Sequence, residues 1–251
     1  MYPRRTLSHN FQGRIAPFRI IGNVYFIGTY QASSHLIDTG DGLIVLDTGY
    51  HNTLYLLVQA IWELGFDPKD VKYIVHSHWH GDHTEGTRAL AALTGAKTVI
   101  GIHDRDNLQR KDLFVPDITV EDGDVLTLGN TAIRFMHTPG HTEGTVSLFF
   151  DTIDQGQTYR VGTFGGAGAN SLVSTHRTYY PGCRKDYLNS IARLENEPVD
   201  VFIGNHCWNN DTDGKAAVLS AGKENPFIDP GEWTRFLEFC RNRALALPPE
   251  E

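Results

Sequence analysis

The amino-acid sequence predicts an α/β protein built of layered sheets with helices on the outside. Three observations carry this. Apolar runs of strand length recur along the chain, segments with apolar residues at helical spacing fall between them, and the alternation comes in two successive halves with no low-complexity stretch or long linker. The 251 residues, 40% hydrophobic and 21% charged, suffice to bury one large core, so a single compact domain is expected over residues 1–251.

The elements follow in order. FRIIGNVYFIG (18–28) and SSHLIDT (33–39) read as strands, and Gly40-Asp41-Gly42 makes a hairpin turn into LIVLDTG (43–49). From Thr53 to Leu64 the apolar residues Leu54, Leu57, Val58, Ile61 and Trp62 predict a helix that Gly65 stops. VKYIV (71–75) is a strand, Thr87 to Leu93 a helix, and KTVIGI (97–102) another strand. VLTL (125–128), AIRFMHT (132–138), TVSLFF (145–150) and YRVGTF (159–164) continue as strands, broken by Pro139-Gly140. Tyr187 to Leu194 is read as a helix, VDVFIG (199–204) as a buried strand, and Glu232 to Ala246 as a closing amphipathic helix. The pentamer HTEGT occurs at 83–87 and at 141–145, read as two similar polar turns and not as a tandem repeat.

The net charge of -8 argues against a nucleic-acid partner, because phosphate-backbone binding rests on clustered Lys and Arg. The N-terminal stretch has no apolar run of signal-peptide length and nowhere do about 18 apolar residues follow one another, so neither a leader nor a membrane span is expected and a cytoplasmic location follows. A small-molecule substrate is the expected partner; nothing in the sequence bears on oligomeric state. Cys183, Cys207 and Cys240 have no C-x-x-C spacing and indicate neither a disulfide framework nor a thiolate metal site, a Cys207 to Cys240 bridge being the one pairing left open.

The densest chemistry is HSHWHGDH (76–83), four histidines and an aspartate in eight positions directly after a predicted buried strand. Buried imidazoles need a hydrogen-bond partner or a metal. On an extended segment alternate side chains share a side, so His78 and His80 can face one ion, while the reversal at Gly81 lets Asp82 and His83 face a neighbouring position. Two metal sites are therefore expected at the carboxyl end of a strand, where ligands sit in open α/β sheets.

At this point the sequence resembles the metallo-β-lactamase superfamily, whose H-x-H-x-D-H signature stands here as His78-Trp79-His80-Gly81-Asp82-His83. HTPGHTEGTVSL (137–148) and FIGNHC (202–207) are similar to the later ligand segments, and LIVLDTG to the strand and turn before the first helix. PFRIIGNVYFIGT (17–29), YPGCRKDYLNSIARLE (180–195) and NPFIDPGEW (225–233) resemble the third subclass of the class B β-lactamases. The resemblance implies a four-layer αββα sandwich. It also implies two zinc ions per chain, one held by His78, His80 and His141 and one by Asp82, His83 and His206, with Asp47 supporting the ligands from behind. It further implies hydroxide attack on a carbonyl, Asp82 orienting the nucleophile as the catalytic residue, and antibiotic resistance as a role.

Superfamily relatives such as glyoxalase-II-like thioesterases and lactonases carry an aspartate bridging both metals, yet YRVGTFGGAGANSL (159–172) holds no carboxylate. That favours the β-lactamase type, with a lactonase or thioesterase as the alternative, and an iron-dependent oxidoreductase or a non-catalytic binding module behind them. Gly166 stands where the subclass often has serine, so a β-lactamase slower than dedicated resistance enzymes is expected, with Gly166→Ser raising turnover. Tyr30, Trp79, Asn170 and Trp208, beside or within the site loops, are candidate substrate-binding residues with Gly166. His76 is read either as facing the metals or as structural, His103 and His137 as non-ligands, and Cys207 as a bystander, because neighbours on an extended chain point oppositely.

Overall fold

The computed structural model describes residues 13–248, so the reading of the first twelve residues lies outside the described part. A seven-stranded sheet runs in sequence order: β1 (Phe18–Ile21), β2 (Val24–Phe26), β3 (His35–Asp38), β4 (Leu43–Leu46), β5 (Val71–Val75), β6 (Lys97–Gly101) and β7 (Ile118–Val120). Its first three pairings are antiparallel and its last three parallel. The parallel steps need crossovers, supplied by α1 (Leu54–Glu63) and by α2 (Gly81–Thr84) with α3 (Thr87–Thr94), while α4 (Arg105–Arg110) lies between β6 and β7. A five-stranded sheet has the order β12 (Val201–Phe202), β11 (Gln157–Thr163), β10 (Val146–Asp154), β9 (Thr131–His137) and β8 (Val125–Leu128). Helices α5 (Cys183–Leu194), α6 (Cys207–Asn210), α7 (Thr212–Ser220) and α8 (Pro230–Leu245) complete the chain.

The layers are read from which residues share a core. In β4, Ile44 and Leu46 join Phe135, Leu148 and Phe150 between the sheets, whereas Leu43 and Val45 pack with Leu57 and Ile61 of α1. That two-sided burial explains the uninterrupted apolar run LIVL. On the other side Phe149 of β10 and Phe202 of β12 pack with Tyr187 and Ile191 of α5 and Trp233 and Leu237 of α8. The result is helix, sheet, sheet, helix, the expected sandwich.

VKYIV and VLTL form strands at the expected bounds, and the turn at Gly40 to Gly42 joins β3 to β4. The segment VDVFIG contributes only Val201–Phe202, because β12 is an edge strand that pairs with β11 over two residues before the chain leaves towards His206. Helix α5 begins four residues earlier than read, at Cys183. α7 was not expected, since TDGKAAVLS lacks an apolar stripe; it is pinned by the buried ion pair of Lys215 with Glu232. The two HTEGT pentamers differ in form. Both turn at the Glu-Gly pair, but Glu85-Gly86 turns between the end of α2 and the start of α3, whereas Glu143-Gly144 turns within the β9–β10 connection. All three cysteines are buried and free, so the Cys207 to Cys240 bridge does not exist.

Candidate metal centre

Both sheets send ligand-type residues to the same end of the sandwich. The loop after β5 carries His78, His80, Asp82 and His83; the β9–β10 connection carries His141; the segment after β12 carries His206. They gather into two groups, His78, His80 and His141, and Asp82, His83 and His206, and within each group the ligand atoms lie within 4.8 Å of one another. In the first, His80 Nδ1 is 3.2 Å from His78 Nε2 and 3.0 Å from His141 Nε2. In the second, Asp82 Oδ2 is 3.4 Å from His83 Nε2 and 3.8 Å from His206 Nε2.

The surroundings orient four of the five rings through their Nδ1 atoms. Ser77 Oγ donates to Asp47 Oδ2 (2.7 Å), which leaves its lone pairs for His78 Nδ1–H (3.1 Å). His83 Nδ1 donates to Asp47 Oδ2 (2.8 Å), His141 Nδ1 to Gly168 O (2.7 Å), and His206 Nδ1 to Gln31 O (2.6 Å). The rings of His78, His141 and His206 are thereby committed to presenting an unprotonated Nε2 to the cluster centres, and His83 is oriented to present its Nε2 once that proton is displaced, the arrangement in which protein groups orient metal-ligating histidines. His83 Nε2 is buried and has no hydrogen-bond partner among the described residues. His80 Nδ1 can donate a proton to only one of the two bare Nε2 atoms near it, so at least one close nitrogen pair faces lone pair to lone pair, a repulsion that a cation relieves, and nitrogen with one carboxylate suits zinc.

Burial pushes His78 well below its usual value, His80 down to about 2, and His141 and His206 down to about 4, so all four are neutral and ready to bind metal near neutral pH. His83 differs. Burial works against its charge, but Asp82 and Asp47 on its two sides outweigh this and raise it to about 10, so a cation there displaces a proton. For Asp82, burial opposes ionisation and the His83 and His206 rings more than reverse it, holding the carboxyl well below the usual range. Asp47 sits in the left-handed region at φ 56°, where a non-glycine residue is strained, and also accepts the Ser77 N–H at 2.8 Å.

The candidate substrate residues divide. Asn170 and Trp208 line a cleft of about 350 Å3 that opens onto His80, His141, Asp82 and His206. Trp208 stacks on His206 with centroids 4.4 Å apart. Tyr30 does not line it; it is buried behind Trp208 at 5.9 Å. Trp79 also turns away, into a small core with Ile100, Leu108 and Phe114, because it alternates with His78 and His80. Gly166 lies beneath His141, where a Cβ would fall 2.6 Å from that residue's Cβ, so it offers no place for a serine hydroxyl. His76 faces Thr87 Oγ1 (3.1 Å) and lies 3.8 Å from Asp47, behind the cluster and not in it. The rings of His103 and His137 lie against each other at 4.9 Å, tilted by 32°, outside both groups. Cys207 points to Thr29 O, and burial pushes its thiol up to about 12, so it is no thiolate ligand.

One residue escaped the sequence reading. Asp104, fully buried, accepts the N–H groups of Trp79 (3.0 Å) and Gly144 (2.9 Å) and the Thr142 hydroxyl (2.8 Å), tying the His78–His80 loop to the His141 loop. Burial pushes its carboxyl up to about 7 against these three donors. Its only signal in the sequence was its place just past strand KTVIGI.

Comparison with known proteins now bears on the centre. The family model of the metallo-beta-lactamase superfamily matches residues 27–206. This chain belongs to the metallo-β-lactamase superfamily. Among solved structures it is similar to the native FEZ-1 metallo-beta-lactamase from Legionella gormanii, at 29% identity and TM-score 0.87 over 94% of this chain and 97% of that one. It is also similar to BJP-1, a subclass B3 metallo-beta-lactamase of Bradyrhizobium japonicum, at 30% identity and TM-score 0.85 over 92% and 93%. Among curated proteins it is 36% identical to a hydroxyacylglutathione hydrolase of Maricaulis maris over 192 residues, 75% of this chain and 62% of that protein. It is 29% identical to the lactamase-like protein aptB of Emericella nidulans over 55% of this chain and 40% of that one, so the chain spans less than two thirds of these curated relatives. Superfamily membership together with the ligand groups supports a metal-dependent hydrolase. No helix among the described residues is long and apolar enough to cross a membrane.

Proposed function

We propose that this protein is a dizinc hydrolase that opens a β-lactam or a similar cyclic amide. The observation that carries the reading is the pair of three-residue groups, with Asp82 as the one carboxylate in either and a glycine-rich turn in the place of a bridging aspartate. Bound zinc supplies Lewis acidity, which polarises a carbonyl and makes water acidic enough to ionise near neutral pH.

The chain's own residues supply the rest. Asp82 borders the cleft, and its carboxylate accepts a hydrogen bond from an incoming water, aiming the water's lone pair at the carbonyl carbon. The Trp208 ring, braced by Tyr30 and stacked on His206, gives an apolar wall that excludes bulk water. Asn170 offers a side-chain amide to a polar group of the substrate. Asp47 and Asp104 hold the rings and the loops in place behind them.

A thioesterase reading stands second, favoured by the 36% identity to a hydroxyacylglutathione hydrolase. A hydrolysis panel of penicillins, carbapenems, lactones and thioesters on zinc-loaded protein separates the two. Turnover of at least one β-lactam is expected; rapid cleavage of a thioester or lactone with no β-lactam turnover refutes the leading reading.

A further inference from the structure

Next to the metal cleft lies a second cavity, of about 310 Å3. It is lined by the aromatic residues Trp79, Tyr179 and Tyr180 and by three exposed cations, Arg110, Lys111 and Arg177, against one carboxylate, Glu143. In a chain of net charge -8 this is a local excess of positive charge. Neither the Lys111 ammonium nor the Arg177 guanidinium has an ion-pair partner among the described residues, so their charge is available to a ligand.

The cavity is joined to the chemistry in three places. Arg177 lines both cavities. Trp79 lies between the ligand residues His78 and His80, and Thr142 directly follows His141. A molecule with its carbonyl at the ligand groups can therefore reach past Arg177 into a compartment with aromatic faces and an anion-binding rim. Arg provides paired donors matched to a carboxylate or phosphate, and Lys a point charge beside it.

We propose that the second cavity binds an anionic tail of the substrate, a group separate from the carbonyl hydrolysed in the neighbouring cleft. This rests on the hydrolase reading above and narrows its substrate class to acyl compounds with a negatively charged extension. It also accounts for Trp79, whose ring serves this compartment and not the metal cleft.

The test uses zinc-loaded protein and two matched pairs. One pair is two penicillins alike except for a carboxylate on the acyl side chain of one; the other is two thioesters alike except that one ends in a carboxylate and its mate in a carboxamide. The acidic member is expected to have a KM lower by about tenfold, the size of one charge-assisted contact. Arg177→Ala and Lys111→Ala should each erase about threefold or more of that preference through KM with little change in kcat, and raised salt should shrink it. Arg177→Lys should restore part, and Lys223→Ala, an exposed cation elsewhere, should leave the preference as it was.

A preference below about twofold, or one that the Arg177→Ala/Lys111→Ala double variant keeps, overturns the proposal while the hydrolase reading stands. Should neither pair be turned over, penicillins and thioesters of this kind are not substrates, and calorimetric titration with glutarate decides the cavity by itself. Weaker glutarate binding in the double variant supports an anion site, and equal binding removes it. Glutarate that binds through Arg177 and Lys111 without competing with a turned-over substrate makes the cavity a site for a separate ligand and also overturns the proposal.

Discussion

Gly166→Ser tests the packing of the first ligand group directly. On the sequence, restoring a serine at this position should improve β-lactam turnover; the structure predicts the reverse. A Cβ at Gly166 meets His141 Cβ at 2.6 Å and Thr145 Cγ2 and Oγ1 at 2.9 Å, in a wholly buried place. Regaining an ordinary contact of 3.4 Å demands that His141 retreat by about 0.8 Å, whereas a metal site tolerates about 0.2 Å in its ligand distances. The ring cannot swing freely to compensate, because Gly168 O holds its Nδ1 at 2.7 Å and Ser171 Oγ lies 3.0 Å away. Overpacking of this kind costs about 1–3 kcal/mol, which lowers the unfolding midpoint by roughly 2–4 °C for each kcal/mol in a chain of this size. Zinc affinity at the first group should fall by about 10- to 100-fold. Competition against a chromophoric chelator and a thermal melt measure the two effects. If the variant bound zinc as tightly, melted at the same temperature and hydrolysed penicillin faster, the placement of Gly166 beneath His141 would be wrong.

Other variants probe the remaining supports. Purified protein is expected to hold close to two zinc equivalents by elemental analysis, since each group offers three protein ligands and room for water, and one iron without zinc would refute this. His206→Ala should cut hydrolysis by about 100-fold or more while leaving the fold in place, and Cys207→Ser should leave zinc content unchanged; the opposite pattern in zinc content would reassign the last ligand. Asp104→Ala strands two backbone N–H groups and a hydroxyl, at about 1–3 kcal/mol for a buried donor left unpaired. It should weaken zinc binding at the first group, with Asp104→Asn intermediate; unchanged affinity in Asp104→Ala would show that the two loops need no tie.

The clustering of His78, His80, Asp82 and His83 was legible because its signal is short-range, whereas His141 and His206 were reached only through the family resemblance. His78, His80, Asp82 and His83 lie within six positions, and a strand running into a glycine reversal is enough to aim them. The strands were legible where burial on both sides forces apolar runs, as in LIVL, and less so where an edge strand stops to deliver a ligand, as at Val201–Phe202. Residues of the cleft wall were harder, because their meeting depends on the packing of elements distant in sequence. Tyr30 and Trp208 do come together, but with only the second facing the cleft. Trp79 is instructive: the alternation used to dismiss Cys207 applies equally between His78 and His80, and it points the indole away from the metal cleft. Asp104 had no local pattern at all, since its three donors come from loops that precede and follow it by 25 to 40 residues.

Each ligand group takes two residues from the seven-stranded sheet and one from the five-stranded sheet. The two halves of the molecule are thus buckled together at one rim, like the covers of a book held by a clasp, while the opposite rim is tied by hydrogen bonds, such as Asn130 N–H to Thr39 O and Thr152 Oγ1 to Asn23 Oδ1. Slippage of one layer over the other would part both groups at once, so the site has no half-assembled form in which a single ion keeps all of its partners. Catalytic geometry and the alignment of the two layers are therefore one property of this molecule, and a change deep between the sheets can disable the site without touching any residue in it.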